Sequence, residues 1–279
     1  MPKLHHGDLD LLYREAGAGE SVLLLHGSAG SGAQWRRLGR RLQPRCHVLA
    51  PDLIGYGGSS AWPQGRAFDL AAEMAPLEAL LMERPGEPAG DLHLVGYSYG
   101  GAVALGLALA HSARLRSLTL IEPVAFALLR ELGQAAAYAE VAGFRHRFTR
   151  LLSQGDTPAA MRDFLDYWSG PGSFAALPEE ALPALFAAAP KIACDLAATF
   201  GAAFTIEALS GLRVPTLVLG GDRSPLATQA SMRAVAGAIA GCEVITLPGA
   251  GHDLPLTHAE AVEAAIAAHV TAWLRPAGG

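Results

Sequence analysis

Leu92-His93-Leu94-Val95-Gly96-Tyr97-Ser98-Tyr99-Gly100-Gly101 is the stretch from which the rest of the chain can be read. Leu92–Val95 is a short, continuous apolar run of the kind buried on both faces of a parallel sheet. Behind it, Gly100–His111 is apolar all round, as a buried helix is. The chain must therefore pass from strand to helix within a few residues. A turn that sharp projects its central side chain beyond the strand ends in a strained backbone conformation. Residues two away on either side must lack side chains so that strand and helix can approach. Gly96 and Gly100 meet that demand around Ser98. In a chain with 32 glycines the bare spacing carries little weight; its place between strand and helix makes Ser98 a candidate nucleophile.

The same alternation extends outward in both directions. Leu9, Leu11 and Tyr13 alternate with polar neighbours after a His6-Gly7-Asp8 turn, the pattern of a half-buried antiparallel strand. Val22–Leu25, His47–Ala50 and Leu118–Ile121 are further short apolar runs, separated by helical patterns at Gln34–Leu42 and Leu70–Glu83. Strands joined through helices need crossovers, which build a parallel sheet. From Pro123 to Leu212 strand patterns vanish. Helices are predicted at Phe126–Ala142 and Ala159–Trp168, the latter with Thr157 and Pro158 suited to its cap and first turn. Breaks fall at Ser169–Ser173 and at Leu177-Pro178. The alternation then resumes with a strand at Val214–Leu219, a helix at Pro225–Ala240 and a strand at Cys242–Leu247. A final helix opens on a Thr257-His258-Ala259-Glu260 capping box and closes at Pro276. The predicted fold class is α/β, a mostly parallel sheet with flanking helices. Residues 1–122 form the first part of the core, 123–212 a helical cap, and 213–279 the second part of the core.

Composition narrows the function. The 279 residues (29.0 kDa) are 51% hydrophobic and 17% charged, with mean hydropathy +0.26, the balance of a folded globular chain. Net charge is −5, and the densest basic group, Arg36, Arg37, Arg40 and Arg41, follows a helical spacing, which argues against nucleic acid as a partner. The longest apolar stretch, Ala102–Ala110, falls short of the ~20 residues of a membrane span, and no secretory signal pattern is visible. A soluble, cytoplasmic chain with no membrane partner is expected, as monomer or homodimer, acting on a small-molecule substrate. Alanine and glycine abundance, with lysine only at Lys3 and Lys191, suggests a GC-rich bacterial genome. Cys46, Cys194 and Cys242 lack disulfide or zinc-ligand spacing. Phosphate-cradling loops and His-Glu-x-x-His are missing too, so no cofactor and no metal are implied.

Other strand ends supply partners for Ser98. His26-Gly27-Ser28 follows the Val22–Leu25 run, and the backbone N–H groups of Ser28 and Tyr99 can converge on one oxygen, Tyr99 because it begins a helix. His26 itself reads as a structural histidine bonding loop backbone. Gly249-Ala250-Gly251-His252 places a histidine on a glycine-flanked loop suited to proton transfer. For the acid that orients it, Asp222 after Gly220-Gly221 is the first choice. Glu122, at the end of Leu118–Ile121, is the alternative acid. Asp52 is a more distant rival, since it opens the Gly55–Gly58 turn and reads more simply as a turn-maker.

The order Ser98, Asp222, His252 and the motifs HGSAGSG, PDLIGYGGSS, GYSYG, LGGDRSP and GAGHDLPLTH together resemble the α/β-hydrolase fold superfamily, specifically its capped, cofactor-free serine hydrolases. The resemblance covers almost everything outside the insertion. It implies a Ser98–His252–Asp222 triad, an oxyanion hole from Ser28 and Tyr99, a cap at 123–212, and carboxylesterase chemistry on a small, largely apolar substrate. A serine at the turn disfavours the haloalkane dehalogenases and epoxide hydrolases of this fold, which use aspartate. Two departures stand out: Asp253 follows the histidine where many relatives carry an apolar residue, and Ala259 replaces a common proline. Carbon–carbon bond hydrolysis and perhydrolysis remain alternatives on the same machinery, and a non-catalytic small-molecule binding protein is a third. Cationic groups to seat a substrate carboxylate would have to come from Arg145, Arg147, Arg150 or Lys191. Phe126, Leu129, Phe144, Phe164, Trp168 and Phe186 either line a pocket or pack the cap.

Overall fold

The computed structural model describes residues 1–82 and 92–275. Among the described residues eight strands run in chain order: β1 (Lys3–His6), β2 (Leu9–Ala16), β3 (Glu20–Leu25), β4 (Cys46–Pro51), β5 (Leu92–Tyr97), β6 (Leu115–Ile121), β7 (Thr216–Gly221) and β8 (Glu243–Leu247). They form one sheet in the order β1-β2-β4-β3-β5-β6-β7-β8. Only the β1–β2 and β2–β4 pairings are antiparallel, and every other pairing is parallel. The chain thus has the α/β-hydrolase fold.

Helices cover both faces, and the strands divide their side chains between them with period two. On β3, Val22 and Leu24 face one core with Val95 and Ile121, closed by α1 (Arg36–Leu42) through Leu38 and Leu42. Leu23 and Leu25 face the other core with Leu94, Leu118 and Leu120. That second core is closed by α2 (Leu70–Met82) and α3 (Tyr99–His111), and extends without a break into the helices after β6. Because β3, β5 and β6 are buried on both sides, their runs read as continuous rather than alternating, and their C-terminal ends meet at one edge.

Between β6 and β7 stand α4 (Phe126–Glu131), α5 (Ala135–Ser153), α6 (Thr157–Trp168), α7 (Leu182–Gly201) and α8 (Ile206–Ser210). The expected helix at Phe126–Ala142 is two helices, broken where Gly133 takes φ 64°. The cap of α6 is Asp156, whose side chain accepts the Ala159 N–H, and not Thr157. After β7 come α9 (Leu226–Ala238), α10 (Leu254–Thr257) and α11 (Ala259–Ala272), the last packing Val262, Ile266 and Val270 on the α1 side of the sheet. The Thr257 capping box does not form: the Thr257 hydroxyl bonds Asp253 O and His258 Nδ1 instead, because α10 occupies the preceding turn. β1 goes unforeseen because four residues are too few to show a period. Glu83 and Pro276, expected helix ends, lie outside the described residues.

Glu179–Gly201 is long and apolar enough to cross a membrane by length and composition. Here it packs Ile192, Leu196 and Ala198 into the core and sets Lys191 and Asp195 in buried ion pairs.

Candidate active site

Ser98 sits between β5 and α3 at φ 54°, ψ −116°, in the left-handed region that side chains rarely adopt. The two glycines are there for space. A Cβ on Gly96 would lie 2.3 Å from Gly100 O, and one on Gly100 would lie 2.4 Å from His26 O. The strained serine is held by its own N–H donating to Ile121 O (2.9 Å) and by its carbonyl accepting from Gly101 and Ala102. The result is a hydroxyl aimed past the sheet edge, where His252 Nε2 lies 2.9 Å from Ser98 Oγ.

The acid is where the structure departs from the first expectation. His252 Nδ1 lies 2.8 Å from Glu122 Oε2, so the carboxylate against the ring comes from β6 and not from β7. Asp222 is exposed and accepts the Gly249 N–H at 2.7 Å, which fixes the turn leading to His252 without touching the ring. Two facts explain the exchange. Glu122 takes φ 47°, a second strained strand end beside Ser98, which turns its longer side chain across β7. The Gly220-Gly221 pair then leaves room for it: a Cβ on Gly220 would sit 2.8 Å from Glu122 Oε1, and the Gly221 N–H donates to that oxygen at 2.7 Å. Ser224 Oγ donates to it as well, at 2.6 Å. Glu122 is fully buried, with protein partners on both oxygens. The signal available in the sequence was that double glycine, which vacates space for a neighbour's side chain.

Asp52 is a turn-maker: it accepts from the Gly32 and Gly58 N–H groups and pairs with Arg14 at 2.8 Å. His26 is structural. It is fully buried and accepts the Leu53 N–H on Nε2 (2.9 Å), so Nδ1 carries the proton toward Gly27 O (2.7 Å), and burial pushes its pKa down to about 4.

Ser28 and Tyr99 both line the cavity above Ser98. Tyr99 is the first residue of α3, so its N–H has no intrahelical partner. The Ser28 loop passes close to Ser98: a Cβ on Gly27 would be 3.2 Å from Ser98 Cβ, and Ala29 turns the chain with φ 60°. The cavity measures about 380 Å³. Phe126, Phe164 and Trp168 line it, whereas Leu129 and Phe144 are buried in the packing behind, and Phe186 stacks on Phe174. Trp168 also packs against the His252 ring, tilted by 35° with centroids 4.4 Å apart, and Tyr97 OH donates to His252 O at 3.0 Å. Neither contact has a sequence signature. Asp253 and Asp195 lie in the lining too, which contains no lysine or arginine among the described residues. No cluster of three metal-ligating side chains occurs among the described residues.

A family model described as "Alpha/beta hydrolase family" matches residues 22–265. The chain belongs to the α/β hydrolase family. Similar curated proteins include a "Putative carbamate hydrolase RutD" of Azorhizobium caulinodans, 36% identical over 43% of this chain and 44% of the relative. "Lipase LipV" of Mycobacterium tuberculosis is 38% identical over 37% and 36%. A "2-hydroxy-6-oxo-2,4-heptadienoate hydrolase" of Pseudomonas putida is 33% identical over 42% of each. These matches span less than half the length of the relatives. Over the whole chain, the fold resembles a thermophilic esterase of Thermogutta terrifontis (TM-score 0.76, 22% identity, 99% of this chain and 100% of that one).

Proposed function

We propose that this α/β hydrolase cleaves a carboxylic ester, or a related acyl bond, of a small uncharged substrate through an acyl-enzyme on Ser98. The observation that carries the reading is the hydrogen-bonded relay Glu122–His252–Ser98 facing an aromatic-lined cavity. Ser98 Oγ attacks the carbonyl carbon while His252 Nε2 takes its proton, and Glu122 stabilises the imidazolium. The oxyanion is received by the N–H groups of Ser28 and Tyr99. Collapse breaks the bond to the leaving alkoxide, which regains a proton from His252. Water, deprotonated by the same ring, then attacks the acyl carbon and releases Ser98.

The cations of the insertion favour this over cleavage of a carbon–carbon bond in an anionic substrate. Lys191 is consumed by Glu73 and Asp195, Arg145 covers Phe200 and Arg147 pairs with Asp163. A cavity bearing two aspartates repels a substrate carboxylate. A fluorophosphonate should add its mass to the Ser98 peptide, and Ser98→Ala should abolish both labelling and hydrolysis of short p-nitrophenyl esters. Unchanged labelling of Ser98→Ala would overturn the assignment.

A further inference from the structure

Beside the cavity, three charged side chains meet in the interior. Lys191 and Asp195, one turn apart on α7, face Glu73 of α2. Lys191 Nζ donates to Glu73 Oε2 at 2.9 Å and also to Asp195 Oδ1. All three side chains are buried, and the ammonium lies over the rings of Tyr56, Phe68 and Tyr99 at 4.4–4.9 Å. Gly55 admits the lysine stem, since a Cβ there would be 2.8 Å from Lys191 Cγ.

Four further hydrogen bonds end on this cluster, from Tyr56 OH to Asp195, from the Ile54 N–H to Glu73, and from two residues that line the cavity. Ser28 Oγ donates to Asp195 Oδ2 at 2.6 Å, and Tyr99 OH donates to Glu73 Oε2 at 3.0 Å. Ser28 and Tyr99 are the two residues whose backbone N–H groups receive the oxyanion in the function proposed above. Both are therefore tied by their side chains to one lysine, which comes from the insertion between β6 and β7.

We propose that the Glu73–Lys191–Asp195 cluster is the positioning element of the oxyanion hole, holding the Ser28 and Tyr99 amides in register through one insertion-borne charge. This rests on the serine-hydrolase reading. An oxyanion donor is effective only when aimed at where charge develops, and a whole donor is worth about 10²–10³ in kcat. A misaimed donor loses part of that.

Ser28→Ala and Tyr99→Phe each cut one tether and leave the amide and the ion cluster in place. Each should lower kcat about ten-fold on p-nitrophenyl butyrate with KM little changed. Affinity for an alkyl boronic acid, which mimics the tetrahedral adduct, should fall by the same factor as kcat/KM. A merely structural role would lower the melting temperature and leave kcat and boronate affinity unmoved, which overturns the inference. So would a loss confined to KM. Ser98→Ala, assayed alongside, separates the two readings. If it retains wild-type turnover, the function fails and the positioning role with it. If it is inactive while both tether variants keep kcat and boronate affinity, only the positioning role fails.

Discussion

Two buried polar groups flank the cavity, and they are built in opposite ways. Glu122, His252 and Ser98 come from strand ends of the core, and two of them are placed by backbone in the left-handed region. Glu73, Lys191 and Asp195 come from the helices α2 and α7, and are held together by charge. In the first group the pairing partner of the carboxylate is an imidazole ring, the proton carrier of the proposed mechanism; in the second it is a lysine ammonium. The first should therefore lose function with little change in stability when its charge is removed, and the second should lose stability when its cation is removed.

The largest expected effect tests the first half of that contrast. Glu122→Gln keeps an acceptor for Gly221 and Ser224 but presents His252 with the wrong hydrogen-bonding group, so kcat should fall by about 10⁴ on a p-nitrophenyl ester. Asp222→Asn should stay within a few-fold of wild type, because its carboxylate touches only the Gly249 amide. The reverse ranking would return the acid to β7. Thermal melts of both variants should lie near wild type.

For the second half, Lys191→Met leaves Glu73 and Asp195 buried and facing each other without a cation. Loss of one partner of a buried pair costs about 3–5 kcal/mol. Urea unfolding should show that loss, and a midpoint equal to wild type would mean the cluster is not held by its charges.

The contrast also explains what could be read in advance. Ser98 and His252 were legible because strand-to-helix turns and glycine-flanked strand ends leave local marks, as did the doubly buried strands around them. The acid was not, because whether Asp222 or Glu122 reaches the ring depends on a positive φ at a non-glycine residue and on space left by Gly220. The ion cluster was harder still: Glu73 and Asp195 stand 122 positions apart, and only α7 docking on the core brings them together. The insertion was legible as helical, but its first break was not, since Gly133 alone separates α4 from α5 by its conformation.

Within the insertion itself, Trp168 and Phe144 sharpen the comparison, one facing the reaction and the other the packing. Trp168 lines the cavity and packs against the His252 ring. Phe144 lies behind it, fully buried and stacked on Tyr167 at 4.3 Å. Phe144→Ala should cost about 3–5 kcal/mol of stability and leave the profile of kcat/KM across acyl lengths flat. Trp168→Ala should shift that profile by more than it shifts the melting temperature. Matching profiles for the two variants would mean that the acyl group is read elsewhere in the cavity.

The smallest effect isolates Asp195, the surplus negative charge of the cluster. Burial raises its carboxyl pKa from 3.8 to about 6, against the opposing pull of Lys191 and with Glu73 adding to the rise. Burial works against the charge on Lys191 too, yet Asp195 and Glu73 hold that pKa above its ordinary value, so the cation persists throughout. A carboxyl whose pKa is higher folded than unfolded binds its proton more tightly in the folded chain. Its contribution to stability is complete below the unfolded value and is lost as pH rises through the folded one. Asparagine in its place cannot titrate, keeps an acceptor for Ser28 and Tyr56, and leaves Lys191 paired with Glu73. The stability of wild type relative to Asp195→Asn should therefore fall between about pH 4 and about pH 7, by at most about 3 kcal/mol for a shift of about two pKa units. Paired urea titrations across that range measure it directly. A difference that grows in the opposite sense, with wild type gaining on the variant as pH rises, would mean that the attraction of Lys191 outweighs burial and that Asp195 is ionised in the fold well below pH 6.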